Sequence, residues 1–112
     1  MNRDILLLIA APFDDGGQPW FCRDCAMLEG ALLANPHWLE HIEVRRVAFE
    51  RPRAAVVALI GVENQGLPTL VLAEGKAAPI GARVHDGRAF FKDASGIAAY
   101  LAATYGGAGP HP

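Results

Sequence analysis

Apolar residues in this chain occur in two kinds of run, and the kind decides the element each predicts. Ile5-Leu6-Leu7-Leu8-Ile9-Ala10-Ala11 and Thr69-Leu70-Val71-Leu72-Ala73 are unbroken. Such runs predict strands covered on both faces, because successive strand side chains point to opposite sides of the sheet. Ile42 to Phe49 alternates imperfectly, with Glu43, Arg45 and Arg46 set among Ile42, Val44 and Val47, and predicts a less buried strand. Elsewhere the period is helical. Leu28, Leu32 and Leu33 recur with Cys25 on one side of a helix that opens at Cys22, and Asn35-Pro36 ends it or breaks it into a short second turn carrying His37, Trp38 and His41. Ala54 to Ile60 predicts a short helix with Pro52 suited to its first turn and Gly61 to its stop. Ile97, Tyr100, Leu101 and Thr104 fall along one face of a last helix opening near Asp93 and ending at Gly106-Gly107.

The segments between are read from turn chemistry. Pro12 to Pro19 is a loop by composition, as is Glu74 to Gly81, and Gly66-Leu67-Pro68 is a turn. Asp86-Gly87, flanked by Arg83-Val84-His85 and Ala89-Phe90-Phe91, is a hairpin signal. The predicted order is β-α-β-α-β-β-α: an α/β fold whose mixed central sheet is flanked by helices. With 112 residues, 52% of them hydrophobic and 20% charged, the chain fits one domain spanning 1–112 rather than a disordered segment. Its core covers about residues 5–105, and 106–112 form an irregular tail.

Charge and cysteine usage narrow the classes of function. Ten basic and twelve acidic residues give a net charge of −2 with no basic stripe, so a nucleic-acid partner is not expected. The longest apolar run is far short of the roughly 20 residues that span a bilayer. Its start, Arg3 followed at once by Asp4, is a thin one for a signal peptide. These features predict a cytoplasmic protein with no membrane partner. The two cysteines, Cys22 and Cys25, are too few for a disulfide scaffold and lack the second pair that a structural zinc site needs.

A CxxC opening the helix after strand one, preceded by Trp20-Phe21, joins Gly66-Leu67-Pro68-Thr69 ahead of a buried strand. In these features the chain resembles the thioredoxin-like fold superfamily, thioredoxin and glutaredoxin included, from Ile5 to about Tyr105. More narrowly it resembles an uncharacterised bacterial family of thioredoxin-like domains with a similar Glu-Asn-Gln-x-Leu-Pro stretch and Pro-His-Pro tail. The resemblance implies that Pro68 is cis and faces the CxxC, with the Leu67 backbone offered to an extended peptide or thiol. Glutaredoxin-like and glutathione-transferase-like relatives hold a basic residue where Arg51 and Arg53 stand. They grip the γ-glutamyl end of glutathione where Asp93 and Ser95 open the last helix. Arg51 and Arg53 also read as a solvated surface pair, and Asp93 and Ser95 as plain caps.

The chemistry expected of the dithiol follows from its position. Helix N-terminal N–H groups lack intrahelical partners and carry partial positive charge, so a thiolate at Cys22 is favoured there. Cys22 would attack a disulfide and Cys25, one turn on, would resolve the mixed disulfide, with no metal or organic cofactor and glutathione as a possible co-substrate. Arg23 favours the thiolate and Asp24 opposes it. Trp20 and Phe21 read as an apolar collar beside Cys22 that could also serve as a recognition surface, and the Pro12–Pro19 loop is the expected source of specificity. The partners of such a protein are protein or small-molecule disulfides and thiols. Two other readings fit the same residues: a non-catalytic thioredoxin-like module binding glutathione or a partner chain, and half of an intersubunit metal site. Glu63-Asn64-Gln65 could line the cleft. His37 and His41 lack a third ligand, and His85 and His111 are expected at the surface.

Overall fold

The structure, a computed structural model that describes residues 3–112, is an α/β assembly of three layers. Its elements in order are β1 (Asp4–Ile9), β2 (Phe13–Asp15), β3 (Gln18–Trp20), α1 (Arg23–Ala34), β4 (Ile42–Val47), α2 (Ala54–Ile60), β5 (Thr69–Val71), β6 (Arg83–His85), β7 (Arg88–Phe91) and α3 (Ala94–Tyr105). Short 3-10 turns cover Pro36–Glu40 and Val62–Asn64.

Five strands form one mixed sheet in the order β4-β1-β5-β7-β6. β1 is parallel to β4 and antiparallel to β5, with Leu6 opposite Val44 on one side and Leu70 on the other. The unbroken apolar runs divide between two faces, as period-2 geometry demands. Leu6, Leu8, Leu70 and Leu72 pack against Leu28 and Leu32 of α1 and Ile97 and Leu101 of α3. Ile5, Leu7 and Val71 point the other way, to Val56 and Ile60 of α2 and to Phe90. Removing any one of these side chains would take apolar surface out of one layer only, at about 2–5 kcal/mol for Leu→Ala.

The predicted elements stand, with shorter strands than the sequence suggested and one addition. Pro12 to Pro19 is not a loop: β2 and β3 pair as a separate hairpin, Phe13 opposite Trp20 and Asp14 opposite Pro19. Gly16 and Gly17 turn it with φ of 64° and 80°, the paired positive angles that a two-residue hairpin turn needs and that glycine takes without steric cost. Pro19 fits because a two-stranded ribbon has only edges, where a missing N–H costs nothing. Pro52 also departs from expectation, since it precedes α2, whose N-cap is Arg53. The Arg51-Pro52 peptide is cis, as are Ala11-Pro12 and Leu67-Pro68.

The irregular tail is held down. The Asn35 side chain accepts from the Ala108 amide at 2.7 Å and donates to the Ala108 carbonyl at 3.0 Å. Trp38, fully buried, donates its indole N–H to the Gly106 carbonyl at 2.8 Å, and His37 meets the same oxygen. His41 stacks on Tyr105. Both histidines are thereby employed in packing, and among the described residues no group of three or more His, Cys, Asp or Glu is arranged to hold a metal ion. Among the described residues no helix is long and apolar enough to cross a membrane.

Candidate active site

The connections carrying Pro12, Pro52 and Pro68 follow the ends of β1 and β4 and precede β5, and the register brings all three to one end of the sheet. Both cysteines are there, free, at the start of α1. Cys22 is the N-cap residue, in extended conformation, and its sulfur accepts the Cys25 amide at 3.2 Å. A thiol thus does the capping job usually given to Ser, Thr or Asp, satisfying an N–H that the helix itself leaves unpaired.

Cys25 faces inward, as its register with Leu28 and Leu32 required, and is only 3% exposed. Its sulfur accepts the Ile9 amide at 3.3 Å at the end of β1. Burial pushes the Cys25 thiol up to about 12; the thiol hydrogen bond to Cys22 adds to this, the Ile9 amide works against it, and the charges of Cys22 and Asp24 raise it further. Burial therefore favours the neutral thiol at Cys25. The Cys25 amide donates to the Cys22 sulfur, and the Cys25 thiol lies beside the same atom. Asp24 acts against ionisation of Cys25, and Arg23 stands exposed at the first helical position.

Arg53 is the principal surprise among the predicted residues. It is not a solvated partner of Arg51 but buried, 5% exposed. Its guanidinium donates to the Phe49 carbonyl through Nε and Nη2 and to the Gln65 carbonyl at 2.9 Å, while its own amide donates to Gln65 Oε1 at 2.6 Å. Burial is the main reason its guanidinium is pushed below the ordinary arginine range; Arg51 acts the same way, and Cys25 and Cys22 oppose the shift. Arg53 thus lies within electrostatic reach of both sulfurs, and among the described residues it pairs with no carboxylate.

Leu67 is half-buried and packs against both cores, and Pro68 is buried behind it. What fixes this loop is a residue the sequence reading passed over. Lys92, at the end of β7, donates to the Asn64 carbonyl at 2.9 Å, the Gly66 carbonyl at 2.6 Å and Thr69 Oγ1 at 2.8 Å. With Arg53 on Gln65, two cationic side chains hold three successive carbonyls just before Leu67-Pro68. Burial, then the charges of Arg83, Arg51 and Arg53, push the Lys92 ammonium down to about 8. Its sequence signal was slight: a lone lysine closing the strand Arg88-Ala89-Phe90-Phe91, two residues from Phe90 and so on its face. Asn64 and Gln65 are buried and bonded to Ile60 and Val62 carbonyls, so they build the loop's frame. Asp93 caps α3 by accepting the Gly96 amide at 2.7 Å, and Ser95 is exposed.

On the other side of the dithiol the surface is apolar. Trp20 is 49% and Phe21 63% exposed, and Trp20 is held by an indole N–H bond to the Asp15 carbonyl at 2.8 Å. A cavity of about 310 Å3 has Cys22, Cys25, Ile9, Ala11, Phe21 and Leu33 in its wall. A second, of about 400 Å3, lies between Ala11, Pro12, Pro19, Trp20 and Phe21.

Comparison with known proteins adds family membership. Neither the curated proteins nor the solved structures provide a match. The family model described as a protein of unknown function, DUF3088, matches residues 3–109. Since that is nearly the whole length, the chain belongs to the DUF3088 family.

Proposed function

We propose that this protein is a thiol-disulfide oxidoreductase of thioredoxin-like fold, with Cys22 as nucleophile and Cys25 as resolving thiol. One observation carries the reading: the two sulfurs differ as the two roles require. Cys22 is partly exposed at a helix N-terminus and accepts the Cys25 amide, whereas Cys25 is buried and its thiol is pushed up to about 12. The fold reading is supported by the parallel β1–α1–β4 unit and by β5 and β7, antiparallel to each other and following it in the sheet.

In the first step the Cys22 thiolate attacks one sulfur of a substrate disulfide. An S–S bond forms to Cys22, the substrate S–S bond breaks, and the departing thiolate takes a proton from solvent. The mixed disulfide removes both the charge and the hydrogen bond that Cys22 imposes on Cys25. Cys25 is then easier to ionise; it releases its proton to solvent, attacks Cys22 and expels the second substrate thiolate. Two electrons have passed to the substrate, leaving a Cys22–Cys25 disulfide. A thiol reductant such as glutathione restores the dithiol, consistent with work in a reducing, cytoplasmic setting. Arg53 opposes the negative charge of both sulfurs, and Lys92 with Arg53 holds the Leu67 ledge in place.

The test is reduction of insulin or a mixed-disulfide substrate. Turnover is expected in the native protein, none in Cys22→Ser, and a trapped mixed disulfide in Cys25→Ser. Absence of turnover with glutathione, thioredoxin reductase and dithiothreitol in turn as electron source would sink the proposal. Ligand binding that survives Cys22→Ser unchanged would then favour a non-catalytic binding module.

A further inference from the structure

The two cavities beside the dithiol adjoin. Ala11 and Phe21 belong to both walls, so apolar surface extends from Cys22 and Cys25 past the Phe21 ridge to Trp20, Pro19 and Pro12. The β2–β3 hairpin supplies the far wall of this groove and is fastened by the stack of Phe13 on Phe49, ring centroids 4.2 Å apart, and by the Trp20–Asp15 bond. Its near wall is the face of α1 that carries Ala26, Gly30 and Leu33, the last 84% exposed. Three large apolar side chains left in water around one opening need a partner that covers them.

The wall also says what that partner is. Its one ionisable side chain outside the dithiol is Glu29, and both Glu29 oxygens are taken by Arg46 at 2.7 and 2.8 Å. The charge there is cancelled internally, so the groove matches an uncharged, apolar occupant. Two pockets separated by the Phe21 ridge suit an extended chain, whose side chains on one face recur at about 6.6 Å.

From these features we infer that the groove is the docking site of a polypeptide disulfide, and that it selects a large apolar residue next to the reacting cysteine. This rests on the proposed exchange reaction and deepens it: the hairpin confers specificity, and Cys22 meets the substrate sulfur at the groove's inner end. The basic side around Arg53 and Lys92 positions the Leu67 ledge, and the apolar side chooses the sequence.

Two short disulfide peptides provide the test, one with Phe and one with Ser beside the cysteine. The native protein is expected to reduce the Phe peptide about tenfold faster in kcat/KM, the discrimination one apolar side chain in a pocket provides. A Cβ at Gly30 would meet no atom within 4 Å, so the backbone there has room for a side chain at the groove wall. Gly30→Leu, and separately Phe21→Ser, should bring the ratio of the two peptides close to one. Equal rates in the native protein, or a ratio untouched by both variants, would overturn the docking site. If neither peptide nor a small aromatic disulfide is reduced at all, the exchange reading fails by itself. Calorimetry of the two reduced peptides with Cys22→Ser then decides docking alone: preference for the Phe peptide sustains it, and equal or absent binding overturns it.

Discussion

The two ends of the central sheet treat charge in opposite ways. At the start of β1, Asp4 is 1% exposed and fully employed. Its carboxylate accepts from the Ala73 amide at 2.8 Å, from Lys76 Nζ at 3.0 Å to each oxygen, and from the Tyr105 hydroxyl at 3.2 Å. That cluster ties the end of β5, the following loop and α3 to the first strand. At the other end, Arg53 and Lys92 are spent on neutral carbonyls, and Cys22 and Cys25 are free thiols beside exposed Trp20 and Phe21. One end is closed electrostatically. The other keeps positive charge without a carboxylate partner among the described residues, and uncovered apolar surface around two sulfurs, where the proposed exchange takes place.

The comparison is broken most severely at the closed end. Asp4→Ala strands the Ala73 amide and the Tyr105 hydroxyl and should cost about 3 kcal/mol in urea unfolding, with Cys22 alkylation in the folded protein unaffected. A loss of thiol reactivity there would mean the ends are not independent. Arg53→Met should cost less, about 2 kcal/mol, by leaving the Phe49 and Gln65 carbonyls without donors. Unlike the first variant, it should also slow alkylation of Cys22 at neutral pH, since it removes a cation in reach of both sulfurs.

Smaller effects lie in the pH dependence, where the sign differs for two groups of the open end. Lys92 titrates at about 8 in the folded chain and at about 10.4 when unfolded. Between those values the unfolded chain binds more protons, so the Lys92 contribution to stability rises with pH, and Lys92→Met should lack that rise. Cys25 is raised to about 12 from 9.0, so its contribution is complete below pH 9 and is lost as pH climbs to 12. Cys25→Ala should therefore unmask the Lys92 rise above pH 9, measured as urea midpoints across pH 8 to 11. A flat profile in that variant would contradict the burial assigned to Lys92.

The open end was legible wherever local chemistry decides position. The CxxC placed Cys22 at the helix start and Cys25 facing inward, by helical spacing from Leu28 and Leu32, while Leu33 of the same predicted stripe is exposed. Asp93 as a cap and Asp86-Gly87 as a turn followed likewise, with φ of 49° and 75° in the turn. The β2–β3 hairpin escaped because Pro12 and Pro19 weigh a composition toward loop, though Gly16-Gly17 between two three-residue segments carried the turn signal. Arg53 and Lys92 were out of reach for another reason. Their partners are backbone carbonyls of residues 49 and 64–66, which are identical in every sequence and announce nothing. A buried cation satisfied by carbonyls becomes visible only when the chain has folded around it.

The central claim is that Cys22 reacts and Cys25 waits. Iodoacetamide labelling of the reduced, folded protein from pH 6.5 to 9, mapped by peptide mass spectrometry, tests it directly. The account predicts alkyl groups on Cys22 alone across that range, with Cys25 modified only after unfolding. Equal labelling of both cysteines, or Cys25 ahead of Cys22, would contradict it.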